Sequence, residues 1–317
     1  MNKDLAWPLT AFVGVCAFVA MTHYTGGWLA GFEGTVIGAA FIIVALFAAG
    51  RQGISDRDLG LIMRPVLRVL MPAFWAVLII FPVFAAGYPG WMSLWGHKIR
   101  IPSAPFTMYS TKLMNSGPAR PGAINIHVTG NQLVIASRNK QETSVKIAPL
   151  SCDHNAKPRQ IRLKTGLRRI DLGQCQGFTV STNKAIIQPP DGGPTRRFTA
   201  HRTWWALFAL FFAELFGVAL PEELFYRGYM QVALKKVFKR RITLFGAQIG
   251  WDVVLTALLF AIGHLITVPH VFRLAVFFPG LLFGWLRERS DSIVAPTLVH
   301  ALSNCLMYLL QGFVVWG

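Results

Sequence analysis

Pro221-Glu222-Glu223-Leu224-Phe225-Tyr226-Arg227 places two adjacent carboxylates and an arginine at the end of an apolar stretch, residues 203–220, whose only charge is Glu214. At 1.5 Å per helical residue, that stretch crosses most of a bilayer. Ionised groups at such depth are costly, and a membrane helix that keeps them marks a functional site by default. Four residues apart on a helix, Glu223 and Arg227 can pair, while Glu222 points about 100° away and keeps its carboxylate free. On a straight, upright helix the acidic pair arrives near the far face of the membrane, which the charge distribution below makes cytoplasmic.

Composition fixes the class around this stretch. The chain is 53% hydrophobic and 14% charged, with a mean hydropathy of +0.46, which describes a polytopic membrane protein and excludes a soluble enzyme. Apolar segments fall at about 5–24, 35–50, 65–88, 203–220 running on into the motif, 242–266, 271–286 and 292–316. The expected fold is an all-α polytopic membrane protein of about seven transmembrane helices with a small β-rich extramembrane insertion. Residues 1–88 form N-terminal membrane helices, 89–200 the insertion and 201–317 the core that carries the motif. The first segment has Lys3 as its only basic flank and no small-x-small cleavage site, so it reads as a retained helix.

The formal charge of +17 is unevenly placed, since residues 89–200 hold 16 Lys and Arg against 4 Asp and Glu. A basic domain tethered to a membrane meets anionic headgroups or an acidic partner segment, and nucleic acid is not expected as a partner. Within it, Ile124–Val128, Leu133–Ile135, Val145–Ile147, Ile161–Leu163 and Phe178–Val180 alternate in the manner of short strands. His127 and His154 match no zinc spacing. Arg51, Arg57, Arg64 and Arg68 mark one short loop, Lys235, Lys236, Lys239, Arg240 and Arg241 a second, and Arg287 with Arg289 a third. Seven alternating helices put all three on one side, the cytoplasmic one, of a bacterial-type inner membrane. The insertion then lies outside the cytoplasm, where Cys152 and Cys175 can form a disulfide. Its own flanking Lys98, Arg100, Arg196 and Arg197 argue the other way.

Two later segments offer polar partners to the acidic motif: Phe260-Ala-Ile-Gly-His264, and His300-Ala-Leu-Ser-Asn304, whose His and Asn share a helix face. Glu-Glu-x-x-x-Arg, then Phe-x-x-x-His, then His-x-x-x-Asn on successive apolar helices resembles the CPBP family of intramembrane proteases. That family includes the type II CAAX prenyl endopeptidases and bacteriocin-processing or immunity proteins. The resemblance covers residues 203–312, and Asp58-Leu-Gly-Leu61 matches a weaker family feature.

The resemblance implies a metal-independent glutamic endopeptidase that hydrolyses a peptide bond in a membrane-anchored protein or peptide. Glu222 and His264 activate the water, and His300 with Asn304 stabilises the oxyanion. Glu223 and Arg227 set the geometry as an ion pair, and Phe260 packs. It implies no cofactor. Two Glu and two His can also hold zinc, the competing reading, though no His-Glu-x-x-His is present. A non-enzymatic immunity or scaffold protein on the same fold and a transporter relaying through buried charge are the other classes. Straight helices leave Glu222 within ~5 Å of the cytoplasmic edge and His264 ~20 Å from it, so a tilt or a kink at Pro221 is expected to bring them together. Glu214 has no partner that the sequence identifies.

Overall fold

The structure, a computed structural model, describes residues 3–25, 33–61, 65–94, 96–99, 108–109, 123–129, 132–137, 142–150, 158–164, 166–172, 175, 177–182, 185–188, 195–267, 269, 271–311 and 314–315. The N-terminal apolar segments form α1 (Lys3–Thr25), α2 (Glu33–Arg51) and α4 (Val66–Leu94), with the short α3 (Asp56–Leu59) before α4. The motif lies within one continuous helical stretch, Trp205–Val237. Beyond it come α8 (Trp251–Thr267), α9 (Phe277–Ser290) and α10 (Val294–Gln311). Four helical stretches, Leu5–Tyr24, Gly34–Arg51, Val66–Leu94 and Trp205–Val237, are long and apolar enough to cross a membrane, and α8 and α10 are shorter apolar helices. Among the described residues, length and composition alone thus account for four of the expected seven or so spans.

The motif helix changes winding on both sides of the acidic pair. It runs as α5 (Trp205–Glu214), a π-helical turn (Leu215–Ala219), α6 (Leu220–Glu223), a second π-helical stretch (Leu224–Met230) and α7 (Gln231–Val237). Pro221 has no N–H to give the Gly217 carbonyl, and π turns are one way a helix takes up such a break. The span continues past the motif, which corrects the expected depth. Lys235 is thirteen residues after Glu222, and His264 is thirteen after Trp251, so both side chains stand ~20 Å from the end of the unit at which the basic loops gather. The motif is mid-span, not at an edge, and it meets α8 at matching depth.

Residues 242–250 are also not helical, as the apolar run 242–266 had suggested. Arg241–Leu244 (β11) and Ala247–Gly250 (β12) pair as an antiparallel hairpin, and α8 begins only at Trp251. Similarly, residues 271–276 wind as a 3-10 turn before α9.

One compact unit holds α1, α2, α3, the first half of α4, the motif helix from Phe212, the β11–β12 hairpin, α8, α9 and α10 as far as Ser303, and a second unit holds the remaining strands. The helical core is apolar and aromatic, with Phe41 of α2 edge-on to Phe225 of the motif helix at 5.3 Å between centroids. The basic loops gather at one end of this unit. Lys236 Nζ donates to the Gln52 carbonyl at 3.1 Å, and Arg287 Nη2 donates to the Asp58 carbonyl at 2.5 Å. Ile293 N–H donates to the Gly60 carbonyl at 3.2 Å. Asp58-Leu-Gly-Leu61 is thus the clasp between the α2–α4 and α9–α10 connections. Ser55 caps α3 through a reciprocal capping box with Asp58, and its hydroxyl holds the Asp58 carboxyl below the usual carboxylate range.

The chain is not all-α. A five-stranded antiparallel sheet orders β2 (Met108–Tyr109), β10 (Arg197–Thr203), β8 (Gly177–Thr182), β5 (Thr143–Leu150) and β6 (Arg159–Leu163). A second sheet orders β7 (Gly166–Asp171), β4 (Gln132–Ser137), β3 (Ala123–Thr129) and β9 (Ile186–Gln188), with β3 and β9 parallel. Ile124, Leu133, Ile135, Val145, Phe178 and Val180 fill one core shared by both sheets. All five expected strands are present. Lys98–Ile99 (β1) pairs with Val314–Val315 (β13). Cys175 is disulfide-bonded, and Cys16 and Cys305 are outside any disulfide. Cys152 and His154 lie outside the described residues.

Candidate active site

Four of the six expected site residues meet directly. Arg227 Nη1 donates to Glu223 Oε1 at 2.9 Å, and both side chains are fully buried. The second arm of the guanidinium, Nη2, donates to the Gly280 carbonyl at 3.1 Å. Glu223 Oε1 also accepts from His300 Nδ1 at 2.8 Å. The opposite edge of that ring, Nε2, faces Glu222 Oε2 at 3.9 Å, too long for a hydrogen bond. The adjacent carboxylates that a helix should splay apart therefore converge on one imidazole. Glu223 accepts twice through Oε1, while Glu222 Oε2 and Glu223 Oε2 are both buried with no hydrogen-bond partner among the described residues.

His264, on α8, makes no hydrogen bond to Glu222, Glu223, Arg227 or His300 among the described residues. His264 Nδ1 lies 2.8 Å from the Phe260 carbonyl one turn earlier on α8. A carbonyl only accepts, so Nδ1 carries the hydrogen and Nε2 of the neutral ring keeps its lone pair. The His264 ring meets the Phe260 ring at 4.4 Å between centroids. No hydrogen bond joins His264 to Glu222 among the described residues. Asn304 stands one turn beyond His300 along α10. Phe260, expected as packing, is a shared wall, since the Arg227 guanidinium lies over it at 4.3 Å and the His300 ring meets it edge-on at 5.7 Å.

Sequence reading missed the opposite side of the cluster. Phe283 stacks on His300 at 4.8 Å, interplanar angle 19°. A polar ladder continues along the helices at four-residue intervals. Below Arg227 and Gly280, Gln231 Nε2 donates to the Gly284 carbonyl at 3.2 Å and to Glu288 Oε1 at 3.1 Å. Lys235 Nζ then reaches Glu288 Oε2 at 2.7 Å. The signal was in the sequence as two matching series, Glu223, Arg227, Gln231, Lys235 and Gly280, Gly284, Glu288. Close approach is what Gly284 provides, because a Cβ there would come 2.7 Å from Val253 Cγ1 and 3.1 Å from Gln231 Oε1. Gly284→Leu is expected to push α8 and α9 apart and to cost about 1–3 kcal/mol, read as a lowered unfolding midpoint in detergent. An unchanged midpoint would mean that the interface yields freely.

Buried carboxylates, an arginine and imidazoles on apolar helices define a multi-pass membrane protein with a polar site inside its helical unit. Residues 203–306, a third of the chain, match the family model described as type II CAAX prenyl endopeptidase Rce1-like. The match contains all six site residues and leaves the strand-bearing insertion outside it. No curated protein and no solved structure matches the chain.

Proposed function

We propose that the protein is an endopeptidase that uses Glu222 to activate water against a peptide bond of a membrane-associated substrate, such as a C-terminal sorting or anchor segment. One observation carries this reading: Glu223 is already held through Oε1 by Arg227 and His300, whereas the buried Glu222 Oε2 has no hydrogen-bond partner among the described residues and faces the Nε2 edge of His300 at 3.9 Å. A water bonded to Glu222 gives its proton to the carboxylate while its oxygen attacks the carbonyl carbon. The C–N bond then breaks, and the same proton passes to the departing amine. His264 Nε2, with its lone pair free, orients or shares that water. His300 through Nε2, with Asn304, faces the developing oxyanion. Glu223 and Arg227 position His300 and touch no reacting atom in this scheme.

Glutamate chemistry without a metal is part of the proposal. Glu223 is already engaged by Arg227 and His300, and a cation there would compete with a buried guanidinium. Purified protein in liposomes should therefore keep its rate under strong chelators and carry no stoichiometric zinc. Activity lost with zinc and restored by it overturns the metal-free scheme.

We place seven helical spans in a bacterial-type inner membrane, with the basic loops cytoplasmic and residues 89–200 outside. The gathering of the three loops at one end and the bonded state of Cys175 support this sidedness. Single cysteines at Gln160→Cys and Lys236→Cys, both exposed sites, should label oppositely with an impermeant thiol reagent in intact cells. Gln160→Cys should react and Lys236→Cys should be protected. The reverse pattern inverts the topology.

A further inference from the structure

The β11–β12 hairpin is held firmly at both ends, yet its apolar side chains face outward. At its base Arg241 Nη2 pairs with the buried Asp252 at 2.9 Å, and Arg241 Nη1 reaches Glu288 at 3.5 Å. At its tip Trp285 Nε1–H donates to the Leu244 carbonyl at 3.0 Å. Even so, Ile242, Leu244 and Phe245 are 66%, 44% and 82% exposed. The turn residues Phe245 and Gly246 both have positive φ, 47° and 77°. A two-residue hairpin of that kind favours Asn-Gly, and a bulky residue in the left-handed region is strained. Keeping a phenylalanine there, rigid and outward, points to something it meets outside the protein.

The charges around it say what that is. Lys239, Arg240 and Arg289 are exposed and make no ion pair among the described residues. The neighbouring acids Asp252, Glu288 and Asp291 pair instead with Arg241, Lys235 and Arg287. Arg289 lies against the turn itself, since a Cβ on Gly246 would meet its Nε at 3.1 Å. Trp251, 58% exposed, follows the hairpin directly at the start of α8. An apolar tip, a collar of uncompensated cations and a boundary tryptophan fit the headgroup layer of a membrane, with phosphate-bearing anionic lipid as the complementary surface.

We propose that the Arg241–Gly250 hairpin is an interfacial anchor for anionic lipid. Ile242, Leu244 and Phe245 enter the boundary between headgroups and acyl chains, while Lys239, Arg240 and Arg289 meet the anionic headgroups. Because Asp252 and Glu288 tie the hairpin to α8 and α9, the lipid contact fixes the depth of the two helices that flank Arg227. This does not depend on the hydrolytic reading, and its test has no activity readout.

Full-length protein with Phe245→Cys, in a Cys16→Ala and Cys305→Ala background, would carry a nitroxide at residue 245. It would be reconstituted separately into neutral phosphatidylcholine vesicles and into vesicles containing phosphatidylglycerol. Collision of the label with lipid-soluble oxygen and with a water-soluble nickel chelate reads its depth. The expected result is high oxygen and low nickel access in the anionic vesicles, with a shift toward nickel in the neutral ones. Adding Lys239→Gln and Arg240→Gln should remove that difference. A label at Ile242→Cys gives the same reading if the turn does not tolerate cysteine. Nickel access in both membranes overturns the proposal, as does equal depth in both. Shielding from both reagents also overturns it, because protein then covers the tip.

Discussion

Arg227→Ala is expected to lower the stability of the helical unit by about 3–5 kcal/mol, the usual cost of leaving one partner of a buried ion pair behind. Glu223 would remain fully buried with its charge uncompensated except by His300. The loss reaches α9 as well, because the guanidinium also holds the Gly280 carbonyl and lies over the Phe260 and Phe283 rings at 4.3 and 5.2 Å. Arg227→Lys keeps the charge but not the two-armed fork, so it should recover only part of the stability. Chemical or thermal unfolding in detergent checks both variants. Near-native stability for Arg227→Ala would show that Glu223 is held by something other than this pair.

Glu222→Gln should behave in the opposite way. The side chain makes no hydrogen bond through Oε2, so its replacement by a neutral isostere should leave the unfolding midpoint in place. Hydrolysis should nevertheless fall by roughly 10²- to 10⁴-fold, the contribution of a positioned general base. Purified variants in liposomes, assayed on a cleavable C-terminal peptide, separate the two positions. Arg227→Ala should fail largely through folding, and Glu222→Gln through chemistry with the fold intact. Retained cleavage in Glu222→Gln would reassign the base.

Part of this site was legible in the sequence. Charged side chains inside apolar helices stand out because burial makes them rare, and Glu223 pairs with Arg227 at the four-residue spacing, whereas the approach of Glu222 to the same His300 ring was not legible because adjacent helix positions diverge by about 100°. Depth was not legible, because the apolar count stops at Leu220 while the helix runs to Val237. Gln231 and Lys235 look like a loop in hydropathy, yet they pair with α9 through Gly284 and Glu288. The hairpin was hidden for the complementary reason: Ile242 and Leu244 extend an apolar run, and only the Phe245-Gly246 turn interrupts it. In the insertion, the five strands with clean alternation were readable. β7 and β10 were not, since Arg168 and Arg169 in one and Arg197 and Arg202 in the other break the apolar period.

The most direct measurement is a mass-spectrometric inventory of membrane-protein termini in cells that carry either the native chain or Glu222→Gln at equal abundance. Glu222-dependent hydrolysis predicts at least one membrane-associated protein whose shortened terminus appears only with the native chain and whose uncut form accumulates with Glu222→Gln. Identical inventories in the two cell lines would contradict it and favour a non-enzymatic role for the same fold.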